Sequence, residues 1–241
     1  MLFDRIKNSR LFRPLLEEVR KQNGVRAEIL KGMTFNSTIV DSPWLKYKSF
    51  SPGLWAADYG LLYTLYRALN SMKPKSLVEF GLGQSSKMVH QYANHFQVEA
   101  VTFEHDPDWV KFFNEGRDGD YDIRVQLADL ETIRYKGFDT VTYKGLEALL
   151  AGKTFDFVLV DGPFGSDHYS RPEVLDVARG HLADRFCIIM DDTDRREERE
   201  TAEETFSLLK DLGRNVCSTT CASSKKHTII CSDDLKFLLS L

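Results

Sequence analysis

Apolar positions along the chain change their spacing as it runs. Leu11, Phe12, Leu15, Leu16 and Val19 recur at helical intervals, and a second helical stripe passes through Leu54, Leu61, Leu65 and Leu69, with Ser51-Pro52 read as its cap and first turn. Residues 1–50 therefore read as an N-terminal helical extension packed on the core, and residues 51–241 as the main domain. From Ser76 the pattern becomes short apolar runs, at 77–80, 98–103, 123–127, 155–160 and 186–190, separated by helical stretches. Runs that are apolar throughout belong to strands covered on both faces, so the alternation predicts an α/β domain with a doubly wound parallel sheet.

A charged helix over 194–212 comes next, then strands at 214–219 and 227–231 joined by a short polar loop. With no helix between them, these two strands must pair antiparallel. Residues 131–143 exceed an ordinary connection and alternate apolar with polar, which predicts a small hairpin near the site. Alternating charge over 195–204 reads as a solvated helix face. Asp58 stands out because it shares the apolar stripe of the second helix, where a carboxylate is either in a buried hydrogen bond or in touch with a ligand.

Composition narrows the class. With 241 residues, 42% of them hydrophobic, the chain can build one large α/β core but hardly two. Its 36 acidic and 32 basic residues are interspersed and give a net charge of −4, so no basic stripe exists to hold a nucleic acid. No apolar run approaches the roughly 20 residues that span a bilayer, and the opening Met1-Leu2-Phe3-Asp4-Arg5 lacks the apolar core of a signal peptide. A cytoplasmic protein with no membrane partner is expected. Cys187, Cys217, Cys221 and Cys231, with His227 nearby, are zinc-ligand types, but tight Cys-x-x-Cys pairs are missing and two of the cysteines fall inside apolar runs. Buried thiols are the expectation.

The richest segment is Leu77-Val78-Glu79-Phe80-Gly81-Leu82-Gly83-Gln84-Ser85-Ser86, an apolar strand that ends in a glycine turn and opens a helix. Gly81, Gly83 and Ser85 place backbone where a ligand approaches closely. A dinucleotide fingerprint would carry glycine where this chain has Ser86, and Glu79 before the turn fits a different ligand. Glu104, at the end of the next strand, can accept from two ribose hydroxyls, while Asp106-Pro107 reads as a helix cap and first residue. After the third strand, Ala128 offers a backbone donor and Asp129 a carboxylate for an adenine edge. Their order fits one adenosine-shaped ligand along the carboxyl edge of the sheet.

These residues resemble the class I S-adenosylmethionine (SAM)-dependent methyltransferases over roughly residues 51–231: Glu79, Gly81 and Gly83 in the first turn, Glu104 after the second strand, Ala128-Asp129 after the third, and the terminal antiparallel strand pair. The resemblance implies a Rossmann-like seven-stranded sheet in the order 3-2-1-4-5-7-6 and SAM as cofactor. Val160-Asp161-Gly162-Pro163 is similar to the strand end of glucuronoxylan-type sugar O-methyltransferases, implying a sugar or other small-molecule hydroxyl as acceptor. Asp161-Gly162-Pro163-Phe164 also resembles the Asp-Pro-Pro-Phe/Tyr grip of N-methyltransferases, but Gly162 breaks that pattern.

Methyl transfer from a sulfonium needs in-line geometry and a nucleophile freed of its proton, so few side chains are required. Asp161, ending an apolar strand, is the leading catalytic and cofactor-contacting candidate, and His168 is the candidate general base. The placement of Asp161, Asp191 and Asp192 resembles that of catechol-type O-methyltransferases, whose pattern has asparagine where Asp192 stands, and implies a divalent metal such as magnesium or manganese. Three such carboxylates need a neutralising partner if they converge. A helix cap is the plainer role for Asp192. The competing classes are a nicotinamide-dependent oxidoreductase and a SAM-binding protein without turnover; a homo-oligomer is compatible with each.

Overall fold

The computed structural model describes residues 13–53 and 55–240. Helix α1 (Arg13–Ile39) lies against α2 (Tyr59–Met72), where Glu28 Oε1 accepts from the Tyr59 amide at 2.6 Å and Phe35 and Ile39 join the buried cluster. Leu11, Phe12 and Leu54 lie outside the described residues. The second helix begins seven residues later than Ser51-Pro52 suggests. Its cap is Asp58, whose Oδ1 accepts from the Leu61 amide at 2.8 Å. The preceding strap is drawn away from helix geometry by polar side chains of the next helix: Gln91 Oε1 accepts from the Lys46 and Tyr47 amides, and Gln84 Oε1 from the Ser51 amide.

Beyond β1 (Ser76–Phe80) the chain alternates through α3 (Gln84–Phe96), β2 (Glu99–Glu104), α4 (Pro107–Gly116) and β3 (Val125–Leu127). Asp106 caps α4 by accepting from the Asp108 and Trp109 amides, with Pro107 in the first turn, as the Asp-Pro pair predicts. Residues 131–143 do form a hairpin, β4 (Leu130–Tyr135) paired with β5 (Phe138–Tyr143). The short α5 (Leu146–Leu150), then β6 (Phe155–Val160), α6 (Glu173–Gly180), β7 (Leu182–Met190), α7 (Arg196–Asp211), β8 (Val216–Ala222), β9 (Lys226–Ser232) and a 3-10 segment (Asp233–Ser240) complete it.

The main sheet has the order β3-β2-β1-β6-β7-β9-β8, parallel from β3 to β7 and antiparallel at both contacts of β9. Numbering only the strands of this sheet, that is 3-2-1-4-5-7-6, the order the resemblance implies. Alternate residues go to opposite faces. Leu77, Phe157, Leu159, Cys187 and Ile189 pack under α1, α2 and α3, while Val78, Phe80, Val158, Val160, Ile188 and Met190 pack with α5, α6 and α7. All of these are essentially inaccessible, each large one contributing about 1.5–3 kcal/mol of burial. No helix among the described residues is long and apolar enough to cross a membrane.

Two expectations are refined. The charged α7 does expose much of its surface, but it also takes contacts from the β4–β5 hairpin and from α6. Glu204 accepts from Tyr135 Oη and Lys136 Nζ of the hairpin, and Glu198 is fully buried. The cysteines are free thiols, with Cys187 and Cys231 buried opposite each other across β7 and β9, and His227 sharing a hydrogen bond with Thr64 Oγ1 at 3.0 Å. Among the described residues, the group of three or more potential ligands that converges is made of aspartates, not of cysteines.

Candidate functional site

The strand order reverses between β1 and β6, and the turns that follow these two strands meet backbone to backbone. Gly81 has φ +95°, and a Cβ there would sit 2.7 Å from the Asp161 carbonyl oxygen; a Cβ on Gly162 would sit 2.7 Å from Gly81 Cα. Glycine at 81 thus serves both conformation and contact. Around Gly83, by contrast, a Cβ would meet nothing within 4 Å. In an open doubly wound sheet this crevice at the switch point is where ligands bind.

Glu79 does not reach into the crevice. It shares a face with Leu77, is fully buried, and spends its oxygens inward: Oε1 accepts from Ser85 Oγ at 2.6 Å and Oε2 from Thr102 Oγ1 at 2.7 Å. Burial pushes its carboxyl up to about 7. His90, on the same line of contacts through Thr102, is driven down to about 3 by burial and is neutral. Glu79 and Ser85 therefore tie the first turn of α3 to β1 and β2. Ser86 closes the turn from the other side, its Oγ accepting from the Gly83 amide at 2.9 Å.

Glu104 does face the turn. Its Oε2 accepts from the Leu82 amide at 3.0 Å, and Oε1 from the His105 and Asp106 amides at 2.7 and 3.0 Å. Trp109 lies over the same turn and donates from Nε1 to the Leu82 carbonyl at 2.7 Å. The rings of His105 and Phe164 approach edge to face with centroids 5.4 Å apart, and Phe164 is largely exposed. After β3, the Ala128 amide is already committed to the Glu104 carbonyl at 2.9 Å, so it is not an available donor for a base, whereas Asp129 is exposed.

Asp161, Asp191 and Asp192, from the ends of β6 and β7, converge: each offers an oxygen within 4.8 Å of the others. The sequence does not show what surrounds them. Arg171, buried in the loop after β6, donates from Nη2 to Asp192 Oδ2 at 2.8 Å and lies 3.8 Å from Asp161 Oδ1. Lys225 Nζ lies 3.2 Å from Asp192 Oδ1 and 3.6 Å from Asp191 Oδ2, and Arg195 Nη1 3.4 Å from Asp192 Oδ2. Neither oxygen of the buried Asp191 has a hydrogen-bond partner among the described residues.

The three carboxyls differ accordingly. Burial raises Asp161 to about 6, with Arg171 opposing. Burial and the charges of Asp161 and Asp192 push Asp191 well above the usual carboxylate range. At Asp192, burial would also raise the carboxyl but is outweighed by Arg171, Lys225 and Arg195, and the group stays low. Its backbone φ of +61° belongs to the bend that brings it there, so Asp192 is not a helix cap in ordinary extended geometry. His168 stands apart from the trio: its Nδ1 shares a hydrogen bond with Glu200 on α7 at 2.9 Å, and its ring stacks on Phe138 with centroids 3.8 Å apart. Asp58 resolves to the buried structural bond, holding α2 and the β8–β9 turn together.

An open groove of about 620 Å³ lined by Lys210, Gly213, Arg214, Asn215, Val216 and Asp233 lies at the opposite edge of the sheet. None of the converging acids is there. Chemistry rather than volume picks out the switch-point crevice.

No protein-family model matches the chain, and no curated protein matches it. Solved structures give distant likenesses of overall shape. A methyltransferase from Pyrococcus furiosus is similar at 13% identity, covering 84% of this chain and 96% of that one with a TM-score of 0.48. An SAH-bound methyltransferase from Podospora anserina is similar at 15% identity over 86% and 88% of the two chains with a TM-score of 0.47. Human methyltransferase-like protein 13 in complex with SAH is similar at 16% identity over 70% and 75% with a TM-score of 0.46.

Proposed function

We propose that this chain is a SAM-dependent methyltransferase that transfers the methyl group to a hydroxyl oxygen of a small molecule, a sugar being the first choice. The observation that carries the reading is the buried Glu104 carboxylate bound to the Leu82 amide beside the Gly81–Gly83 turn. Oε2 accepts only that amide, so one of its lone pairs can take a ribose hydroxyl. A pyrophosphate, as in a nicotinamide cofactor, would instead call on the amides that open α3, and the Gly83 amide is already spent on Ser86 Oγ.

SAM would supply an activated methyl group on a sulfonium. The chain's own work is then modest. Gly83 lets the backbone come close to the ligand, Glu104 holds the ribose, and Asp161, at the sheet edge next to Gly81, orients the acceptor hydroxyl and takes its proton. A carboxyl near 6 is ionised at neutral pH yet basic enough to share that proton. A divalent ion held by Asp161, Asp191 and Asp192 is a second reading, favoured by the approach of their oxygens. The residues present fit it poorly, because the cations Arg171, Lys225 and Arg195 already contact the same carboxylates.

The test is transfer of a labelled methyl group from SAM to a pool of sugars, phenols and amines. The reading expects labelled oxygen-linked product that Asp161→Asn abolishes. Labelled amines alone would move the acceptor to nitrogen, and no transfer to any acceptor despite cofactor binding would make the chain a binding protein.

A further inference from the structure

Three carboxylates, two of them buried, with oxygens within 4.8 Å of one another favour a cation among them. Here one comes from far along the sequence. The turn between β8 and β9 carries Lys225, whose ammonium contacts Asp191 and Asp192 and donates to the Ala56 carbonyl at 3.2 Å. Its side chain is only 14% exposed, so it is not a surface charge free in solvent.

The turn itself is locked. Asp58 Oδ2 accepts from Ser223 Oγ at 2.5 Å, from Ser224 Oγ at 2.9 Å and from the Lys225 amide at 3.0 Å, while Oδ1 caps α2. The fit is close enough that a Cβ on Gly60 would lie 2.1 Å from Ser223 Oγ. One carboxylate therefore fixes the start of α2 and the backbone of the lysine together. On the far side of the trio, Arg171 is held by the Pro163 and Asp191 carbonyls as well as by Asp192.

A divalent ion would need these same oxygens at about 2.0–2.6 Å, in competition with the Lys225 and Arg171 cations that the fold brings to them. We propose that Lys225, held in place by Asp58, is a positioning residue: a tethered ammonium that stands where the catechol-type pattern puts a metal ion and keeps the three aspartates together behind the acceptor hydroxyl. What the trio does for the acceptor rests on the methyl-transfer reading above. The Asp58–Lys225 arrangement does not, and the experiment separates the two.

Protein free of cofactor is titrated with Mn²⁺ by calorimetry and by the loss of the free-ion EPR signal. The wild type is expected to bind none up to about 1 mM, whereas Lys225→Met, which keeps the stem and removes the charge, gains a site with Kd on the order of 10⁻⁴ M and Lys225→Arg does not. In methyl transfer, chelator leaves the wild type unchanged. Lys225→Met lowers kcat by about tenfold or more while the KM for SAM moves less than about threefold, and Lys225→Arg recovers part of the loss. Wild-type binding of Mn²⁺ tighter than about 10⁻⁵ M together with loss of transfer in chelator overturns the proposal. So does a folded Lys225→Met that neither gains an ion nor loses kcat. If Lys225→Met does not fold by circular dichroism, Asp58→Asn takes its place, and a folded Asp58→Asn with unchanged kcat and no gain of Mn²⁺ binding overturns it equally. If no variant and no wild type transfers methyl groups, the functional reading falls while the Mn²⁺ titration still decides the role of Lys225.

Discussion

Gly81 and Gly83 sit two residues apart in one turn, and the structure gives them different jobs that a pair of alanine substitutions separates. At 81 the backbone has φ +95°, where a side chain costs about 1–2 kcal/mol. The new Cβ would also lie 2.7 Å from the Asp161 carbonyl oxygen and 2.8 Å from the Gly162 nitrogen, backbone that cannot swing aside, which adds about 1–3 kcal/mol. Gly81→Ala should therefore lose about 2–5 kcal/mol of a total near 5–15 kcal/mol for a domain of this kind. Gly83 has φ −165°, ordinary extended backbone, and open space around it, so Gly83→Ala should cost less than about 1 kcal/mol. If that open space is where the cofactor passes, Gly83→Ala weakens S-adenosylhomocysteine at least about tenfold, or about 1.4 kcal/mol, in a protein that unfolds normally. Urea unfolding and calorimetry on both variants check this. Equal stability of the two variants would refute the contact at Gly81, and normal binding by Gly83→Ala would refute the path of the ligand.

Three other outcomes follow from the site. Asp161, raised to about 6, is protonated below that pH and cannot accept a proton there, so kcat/KM should rise with pH through about 6 and level off above, a limb that a pH–rate profile would show and that Asp161→Asn should remove. Glu79 is raised from 4.5 to about 7, so the folded state alone resists its ionisation and stability falls as pH rises through that window, by about 3 kcal/mol in all. Denaturant titrations at pH 5 and pH 8 should show that difference shrinking in Glu79→Gln; an unchanged difference would place the titration elsewhere. His168→Ala should lose about 1 kcal/mol of stability with its Glu200 bond and Phe138 stacking but keep its pH–rate profile, and a lost limb there would make His168 the base instead.

Much of the architecture was legible because it is written locally. Continuous apolar runs mark doubly covered strands, Asp106-Pro107 marks a helix start, and two strands without a helix between them can pair only one way. The start of α2 was not, because Ser51-Pro52 looks like a cap on its own, and only the distant Gln84 and Gln91 side chains show that this stretch is a strap on α3. The site divides in the same way. Glu104 and the glycine turn were readable from strand ends, and so was the meeting of Asp161, Asp191 and Asp192. Glu79 was readable as an unusual acid but not as one turned inward, since its partners Ser85 and Thr102 come from other elements. Arg171 and Lys225 carried no local signal at all: each sits in a polar loop that reads as solvated, and only the fold carries them to the aspartates.

On the proposed reading, an adenosine ligand carrying an amino acid, not a dinucleotide, lies along the Glu104 edge of the sheet. Calorimetric titration with S-adenosylhomocysteine and with NAD, on the wild type and on Glu104→Ala, tests it most directly. S-adenosylhomocysteine is expected to bind and NAD not to, and Glu104→Ala, which removes a hydrogen bond to a charged group worth roughly 1.5–3 kcal/mol, is expected to bind at least about tenfold more weakly while remaining folded. Tighter binding of NAD, or normal binding of S-adenosylhomocysteine by folded Glu104→Ala, would contradict it.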